Sequence, residues 1–486
     1  SLDVSVNDAF RPVSRFFDRI NRPEQLIPSL LNAMRVLTDP AETGAVTIAM
    51  PQDVQAEAFD WPVELFRKRV WHVRRPVPEP AALERAVALI KAAKRPLIIA
   101  GGGTVYAGAS EELRALATAT GIPVGDTQAG KGAINFDHPS AVGGVGSTGC
   151  DSGNHIADKA DLIIGVGTRY SDFTTASKTQ FKNPDVKFVN INVTPFDAAK
   201  ESAEMVVADA REALSALTEA LADYRVEAAY SDEITQEKEA WLRATERCYH
   251  LDHGPLPAQT EVFGALNELM GEEDVVINAA GSMPGDLQAL WQARSPLQYH
   301  VEYAFSCMGY EVPAAMGVKL ARPDAEVVSI VGDGTYQMLP MELATVVQEN
   351  IKVIYVLLQN YGFCSIGALS ESRGSQRFGT KYRQRGEGSH LADEQVIDGV
   401  DIAANARSWG LDVLEVHTIE EFKEAYRKAE ASNRPTMIHI ETDLYGPNPP
   451  GSSWWDVPVS GVSELESTQR AYEEYLRDRK PQRHYL

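Results

Sequence analysis

The sequence has 486 residues, a formal net charge of −22, 44% hydrophobic residues and 23% charged ones. That balance suits a globular chain with a real core and about three domains, and it excludes a collagenous or low-complexity chain. The negative charge disfavours nucleic acid and anionic membranes as partners, since phosphates would be repelled.

Residues 1–65 read as the end of a domain rather than its beginning. Leu26, Ile27, Leu30, Leu31, Met34 and Leu37 follow a helical period, and Ala45–Met50 reads as a buried strand stopped by Pro51. One helix and one strand cannot close a core alone. Residues 66–80 carry the basic stretch Arg67–Arg75 and then Pro76, Pro78 and Pro80, an extended linker. Residues 81–228 alternate helix and strand. A helix over Ala81–Ala93 is followed by the strand Leu97–Ala100, which enters Gly101-Gly102-Gly103. Ser110 is placed to cap a helix from Glu111, and Gly121 to end it. Strands at Leu162–Ile164 and Phe188–Ile191 and a helix through Leu214, Leu217 and Leu221 complete this unit. Residues 229–258 form a polar helical connector. Residues 259–446 repeat the alternation, with strands at Val275–Ile277, Val327–Val331, Val353–Leu358 and Thr436–Ile440. Thr418 with Glu421 forms a capping box. A tail, 447–486, begins rich in Pro, Gly and Ser and carries Trp454 and Trp455. The expected architecture is multi-domain α/β, with parallel sheets flanked by helices.

Cys150, Cys248, Cys307 and Cys364 form no CxxC pair, which removes a zinc ribbon or thioredoxin-like motif and suits a reduced, cytoplasmic protein. The uncharged run Val353–Ser370 holds Gln359, Asn360, Tyr361 and Gly362 in its middle; they would strand polar groups in lipid, so no membrane span is expected. No signal peptide is visible, and a start at Ser1 without Met reads as the interior of something longer.

The chemistry concentrates on Gly332-Asp333-Gly334, followed after residues 335–359 by Asn360. An isolated Asp-Gly after a strand is usually a tight turn. Here one strand ends at Gly332, Pro340 suits the first turn of a helix running to Asn350, and the next strand ends at Asn360. Asp333 and Asn360 are therefore expected at the same carboxyl edge of two parallel strands joined by one crossover helix, where open α/β sheets bind ligands. A carboxylate, an amide oxygen and the main-chain carbonyl of Gly362 are hard donors that suit Mg²⁺, with a diphosphate and water completing about six oxygens. Gly332 and Gly334 let backbone approach phosphates without a Cβ.

This spacing resembles the signature of thiamine diphosphate enzymes of the acetohydroxyacid synthase and pyruvate decarboxylase type. Gly281-Ser282-Met283 resembles their second diphosphate loop, and Ser306–Gly317 (SCMGYEVPAAMG) resembles their "TMGxxxPAAxG" helix start. Lys131-Gly132-Ala133 before Asp137-His138-Pro139 is similar to their central domain. The resemblance implies the thiamine diphosphate-binding fold. Gly281, Ser282, Met283, Met308, Gly332, Asp333, Gly334, Thr335, Asn360 and Gly362 would bind the cofactor; Asp333, Asn360 and Gly362 would hold Mg²⁺; Met308 would bend the cofactor into its V shape. Met308 taken alone reads as a core methionine.

Within the superfamily, five segments resemble the ring-opening hydrolases of myo-inositol breakdown: Asp8–Ser14, Gln52–Phe59, Glu302–Glu311, Phe378–Thr380 and Ser453–Pro458. They imply hydrolysis of a C–C bond in a cyclic trihydroxy-1,2-dione, with the cofactor as electron sink, giving 5-deoxy-glucuronate. They also imply a homodimer or homotetramer with the cofactor between subunits. The family's activating glutamate lies in an N-terminal pyrimidine-binding domain, roughly 150 residues in size, ahead of the segment matching Ser1, so no Glu here is assigned that role.

Other residues carry competing readings. Gly101-Gly102-Gly103 lacks nucleotide-loop spacing and, like Gly165-x-Gly167, reads as a structural turn, although some relatives hold FAD in this domain. His250 and His253 have no Glu partner for a metal site. His300 and Glu302 are the weak catalytic candidates, as proton carriers near the substrate, with a structural histidine as the alternative. Arg373, Arg377, Lys381, Arg383 and Arg385 form either a mobile substrate-binding loop or a solvated one. Trp454 and Trp455 either close the site as a flap or pack on a neighbouring domain. The rival functions are an acetohydroxyacid synthase-like or 2-keto-acid decarboxylase activity and a non-catalytic cofactor-binding fragment.

Overall fold

The computed structural model of the chain describes residues 5–385, 391–397 and 399–484. Ser1 and the side chain of Arg385 lie outside the described residues. Two six-stranded parallel sheets organise the chain. The first runs Ala141–Gly144, Val124–Asp126, Pro96–Ala100, Leu162–Val166, Lys187–Asn192, Glu204–Val207 from edge to edge. Its order reverses between Pro96–Ala100 and Leu162–Val166. The second runs Tyr299–Val301, Val275–Asn278, Val327–Gly332, Ile354–Gln359, Thr436–Glu441, Asp412–Val416, and its order reverses between Val275–Asn278 and Val327–Gly332.

The central strands are mostly apolar because helices cover both sheet faces. Val328, Ile330, Val356 and Leu358 enter one hydrophobic cluster, while Val327, Val331, Tyr355 and Leu357 enter the cluster on the opposite face. This is the period-2 alternation of a strand with two dry sides. Five strands of these two sheets escape sequence reading: Val124–Asp126, Ala141–Gly144, Glu204–Val207, Tyr299–Val301 and Asp412–Val416. They are short and mostly interrupted by Gly, Asp, Glu or His, so their apolar pattern is weak.

Several local expectations need correction. The crossover between Val327–Gly332 and Ile354–Gln359 holds two helices, Asp333–Met338 and Glu342–Gln348, not one. Pro340 restrains Leu339 before it and has no N–H to donate, so the first helix stops at Met338. The strand Val46–Ala49 is half-buried rather than buried, because it pairs only with Phe16–Arg19. Ser110 is itself the first residue of the helix Ser110–Thr120, and its buried hydroxyl has no hydrogen-bond partner, so it caps nothing. Gly121 ends that helix with φ 70°, a left-handed conformation that suits glycine. Thr418 caps as expected, accepting from Glu421 N at 3.2 Å, while Glu421 accepts from His417 N at 2.8 Å.

The linker is anchored by Arg75, which pairs with Asp209 at 2.9 Å. The tail folds back over the first sheet's domain. Trp455 Nε1 donates to Asp172 at 2.8 Å and its ring lies 5.0 Å from that of Phe173. Trp454 stacks on Tyr475. Both tryptophans therefore pack on neighbouring structure instead of forming a free flap. Among the described residues no helix is long and apolar enough to cross a membrane.

Candidate functional site

Each sheet has one point where the strand order reverses, and the loops leaving the strands there splay apart to leave a crevice. In the first sheet the two loops at that point, Gly101–Gly103 and Gly167, pack closely on each other and line one side of a cavity. A Cβ on Gly101 would lie 2.4 Å from Gly167 O, and one on Gly103 would lie 2.7 Å from Gly167 Cα. These glycines are thus explained by contact between loops. A cavity of about 700 Å³ lies beside them, walled in part by Tyr106, Arg169, Tyr299, His300 and Tyr303.

The second sheet's reversal point is different. A Cβ on Gly281, which has φ 94°, would meet nothing within 4 Å, and one on Gly332 would meet only Met283 Cε at 3.4 Å. Its two flanking loops are Ala279–Ser282 and Gly332–Thr335.

Asp333 begins the helix Asp333–Met338 and is 2% exposed. Its Oδ1 accepts from Gly334 N at 2.8 Å; its Oδ2 accepts from Asn360 N at 3.2 Å and Tyr361 N at 2.6 Å. The parallel register pairs Gly332 with Leu358, which brings the two strand ends together. Burial pushes the Asp333 carboxyl up to about 6, against the pull of the backbone N–H groups of Tyr361, Gly334, Asn360 and Gly362. No cationic side chain contributes to that balance. Asn360 Oδ1 is buried and has no hydrogen-bond partner. An uncompensated carboxylate beside an orphaned amide oxygen is the environment that a hard divalent cation would satisfy. The residues present therefore fit Mg²⁺. Tyr361 adopts φ 57°, a strained conformation for a non-glycine residue, and its hydroxyl donates to Glu441 at 2.6 Å. Gly362 has no room for a side chain, since a Cβ would lie 2.6 Å from Thr380 O.

The Met308 turn leans on the same helix. Gly309 N donates to Thr335 Oγ1 at 2.7 Å, and Thr335 Oγ1 donates to Glu311 at 2.9 Å. Thr335 is only 4% exposed, and this local network engages its hydroxyl. Met308 is 39% exposed, so it is not the core methionine of the isolated reading. Ser282 Oγ donates to Gln259, whose amide nitrogen donates to Asp286. Burial pushes Asp286 up to about 7.

The two weak catalytic candidates sit elsewhere in this network. Glu302 accepts from Cys307 N at 2.6 Å and so holds the turn before Met308. His300 lies 2.7 Å from Tyr310 Oη, stacks on that ring and lines the 700 Å³ cavity; burial lowers its pKa. His250 and His253 pair separately, with Glu246 and Asp443. Of the basic segment, Arg377 is pinned by Glu371 at 2.8 Å and lies over the Tyr445 ring, and Arg373 donates to Trp455 O at 3.1 Å. Sequence reasoning missed Glu311, Tyr361 and Asp286. Glu311 had a signal: it is the one charged residue in the otherwise small and apolar run Val312–Gly317 that it introduces.

Comparison with known proteins gives the family of both sheet-bearing regions. Residues 83–217 match the family described as thiamine pyrophosphate enzyme, central domain, and residues 279–440 match its C-terminal TPP binding domain. The chain is 44% identical to 3D-(3,5/4)-trihydroxycyclohexane-1,2-dione hydrolases of Bacillus cereus (strain AH820) and Bacillus anthracis (strain CDC 684 / NRRL 3495), over 100% of this chain and 79% of each relative. It is likewise 44% identical, with the same coverage, to the hydrolase of that name in Bacillus thuringiensis (strain Al Hakam).

Proposed function

The chain belongs to the thiamine pyrophosphate enzymes, within the family of 3D-(3,5/4)-trihydroxycyclohexane-1,2-dione hydrolases, and from that premise we propose that it opens the ring of such a dione by hydrolysing a C–C bond. The observation that carries the site assignment is the buried Asp333 carboxyl beside the unpartnered Asn360 Oδ1.

In this reading Asp333, Asn360 and the Gly362 carbonyl hold Mg²⁺, and Gly281, Ser282 and Met283 face the diphosphate. Gly332, Gly334 and Thr335 belong to the opposite loop. When bound, thiamine diphosphate supplies the electron sink for breaking a bond beside a carbonyl. Asp333 supplies the negative charge that draws the cation into the crevice. Its backbone hydrogen bonds to Tyr361 and Asn360 keep that charge from turning away. Met308, partly exposed, would offer the cofactor an apolar surface to rest on. His300, kept neutral by burial, is able to accept or pass a proton through Tyr310.

The product is proposed to be 5-deoxy-glucuronate, and the setting myo-inositol degradation in the cytoplasm; the free thiols of Cys150, Cys248, Cys307 and Cys364 support a reducing compartment. A homodimer or homotetramer is supported by the apolar side chains left exposed near the site: Phe305 at 86%, Met338 at 54% and Met341 at 59%.

The test is a calorimetric titration with thiamine diphosphate and Mg²⁺, followed by product analysis by NMR. Binding that Asp333→Ala weakens by about 100-fold or more is expected, because loss of even an outer partner typically costs about 10–100-fold in metal affinity. Unchanged affinity in that variant would defeat the metal assignment. Acetolactate or CO₂ from pyruvate, with no ring opening, would favour a synthase or decarboxylase instead.

A further inference from the structure

We propose that Glu311 is a positioning residue: its carboxyl ties together the two loops that flank the open crevice of the second sheet and, through Thr335, sets the Met308 turn against them. The inference rests on the cofactor reading above and adds a residue to it.

Glu311 is 0% exposed and begins the helix Glu311–Ala321. One carboxyl oxygen accepts from Ala280 N at 3.4 Å, in the loop after Val275–Asn278. The other accepts from Thr335 Oγ1 at 2.9 Å, in the first turn of the helix Asp333–Met338 that follows Val327–Gly332. These are the two strands between which the sheet order reverses. Thr335 Oγ1 also accepts from Gly309 N at 2.7 Å, one residue beyond Met308. A single carboxyl thus reaches both walls of the crevice directly and the third contact surface through one hydroxyl. The Glu311 backbone is fixed as well, since its carbonyl accepts from Ser329 Oγ at 3.0 Å.

Placing a carboxyl here is expensive. Its hydrogen-bond partners are backbone amides and one hydroxyl, and no Lys or Arg contributes to its titration, so burial pushes its pKa up without a compensating charge. A valine or leucine would fill the space without that penalty. What an apolar residue cannot do is accept hydrogen bonds at both ends and set the width of the crevice. Asp333 and Asn360 occupy one wall and Ser282 the other, so this width decides whether metal and diphosphate are met together.

The competing account is a helix-start residue that only stabilises the fold. Binding separates the two. Glu311→Ala, Thr335→Val and Thr335→Ser are each checked for folding by thermal melting, then titrated calorimetrically with thiamine diphosphate at saturating Mg²⁺. Affinity is expected to fall by about 10-fold or more in Glu311→Ala and Thr335→Val, as for loss of an outer partner, and to recover in Thr335→Ser. The double variant Glu311→Ala/Thr335→Val is expected to lose little beyond the worse single one, because both remove the same tie. In the cofactor-free protein the Gly309 amide is expected to exchange faster in Thr335→Val than in Thr335→Ser. If Glu311→Ala does not fold, the two Thr335 variants decide alone. Wild-type affinity in the folded variants, with only the melting temperature lowered, overturns the Glu311 assignment. Absence of binding in the wild-type protein overturns the cofactor reading itself.

Discussion

The Asp333 carboxylate, at the end of one strand, accepts the backbone N–H of Tyr361, beyond the end of the next strand, at 2.6 Å. The contact joins residues 28 positions apart. It fixes the carboxylate next to Asn360, whose own side-chain oxygen has nothing to accept. The site is thus held in shape by backbone donors to Asp333, while the Asn360 side-chain oxygen remains unsatisfied by the protein.

Asn360→Ala should separate binding from stability. The lost Oδ1 makes no hydrogen bond in the cofactor-free protein, and a buried unsatisfied acceptor costs about 1–3 kcal/mol. The melting temperature without cofactor is expected to hold or rise, while Mg²⁺-dependent cofactor affinity falls about 10-fold or more. A lower melting temperature with unchanged affinity would show a structural amide.

Asp286 gives a pH signature. Its carboxyl is raised by burial to about 7 from an ordinary 3.8. The folded state therefore holds this proton more tightly than the unfolded chain. The stabilisation is fully present below about pH 4 and is lost as pH rises through about 7, a change on the order of 4 kcal/mol. Urea unfolding of the cofactor-free protein at pH 5 and pH 8 should show the wild type weaker at pH 8. In Asp286→Asn that part of the difference should vanish. An equal pH dependence in both proteins would rule out a raised Asp286.

The two glycine loops should respond oppositely to alanine. Gly101→Ala forces a Cβ to 2.4 Å from Gly167 O and should lower the melting temperature, with cofactor affinity retained in the protein that folds. Gly281→Ala meets no atom within 4 Å but must adopt φ 94°, so it should disturb the loop shape and weaken cofactor binding more than stability. Loss of cofactor affinity in a folded Gly101→Ala would reopen a ligand role for that loop.

Met308→Ala should leave cofactor affinity within a few-fold and lower kcat by about 100-fold, because a misplacement of about 1 Å at the reacting atoms costs that much. The side chain is 39% exposed without cofactor, so little packing is lost. An unchanged kcat at saturating cofactor would remove Met308 from its bending role.

Much of this was legible in the residues. Val327–Val331 and Val353–Leu358 announce buried parallel strands because a strand covered on both faces has no polar side to show. The interval from Asp333 to Asn360 carries one strand and one crossover, so their meeting at one edge follows from chain direction alone. Tertiary structure decided the rest. Pro340 reads as the start of a helix, yet it divides the crossover because Leu339 before it leaves the helical conformation. Gly101-Gly102-Gly103 reads as a structural turn and Gly281 as part of a phosphate loop, but only the packed chain shows that Gly101 and Gly103 lie against Gly167 while the space around Gly281 is open. Glu311 reaches Ala280 and Thr335 only because the strand order reverses between their strands. Periodicity and spacing report on neighbours along the chain; which distant loops a buried carboxyl can touch depends on how the crossovers wind.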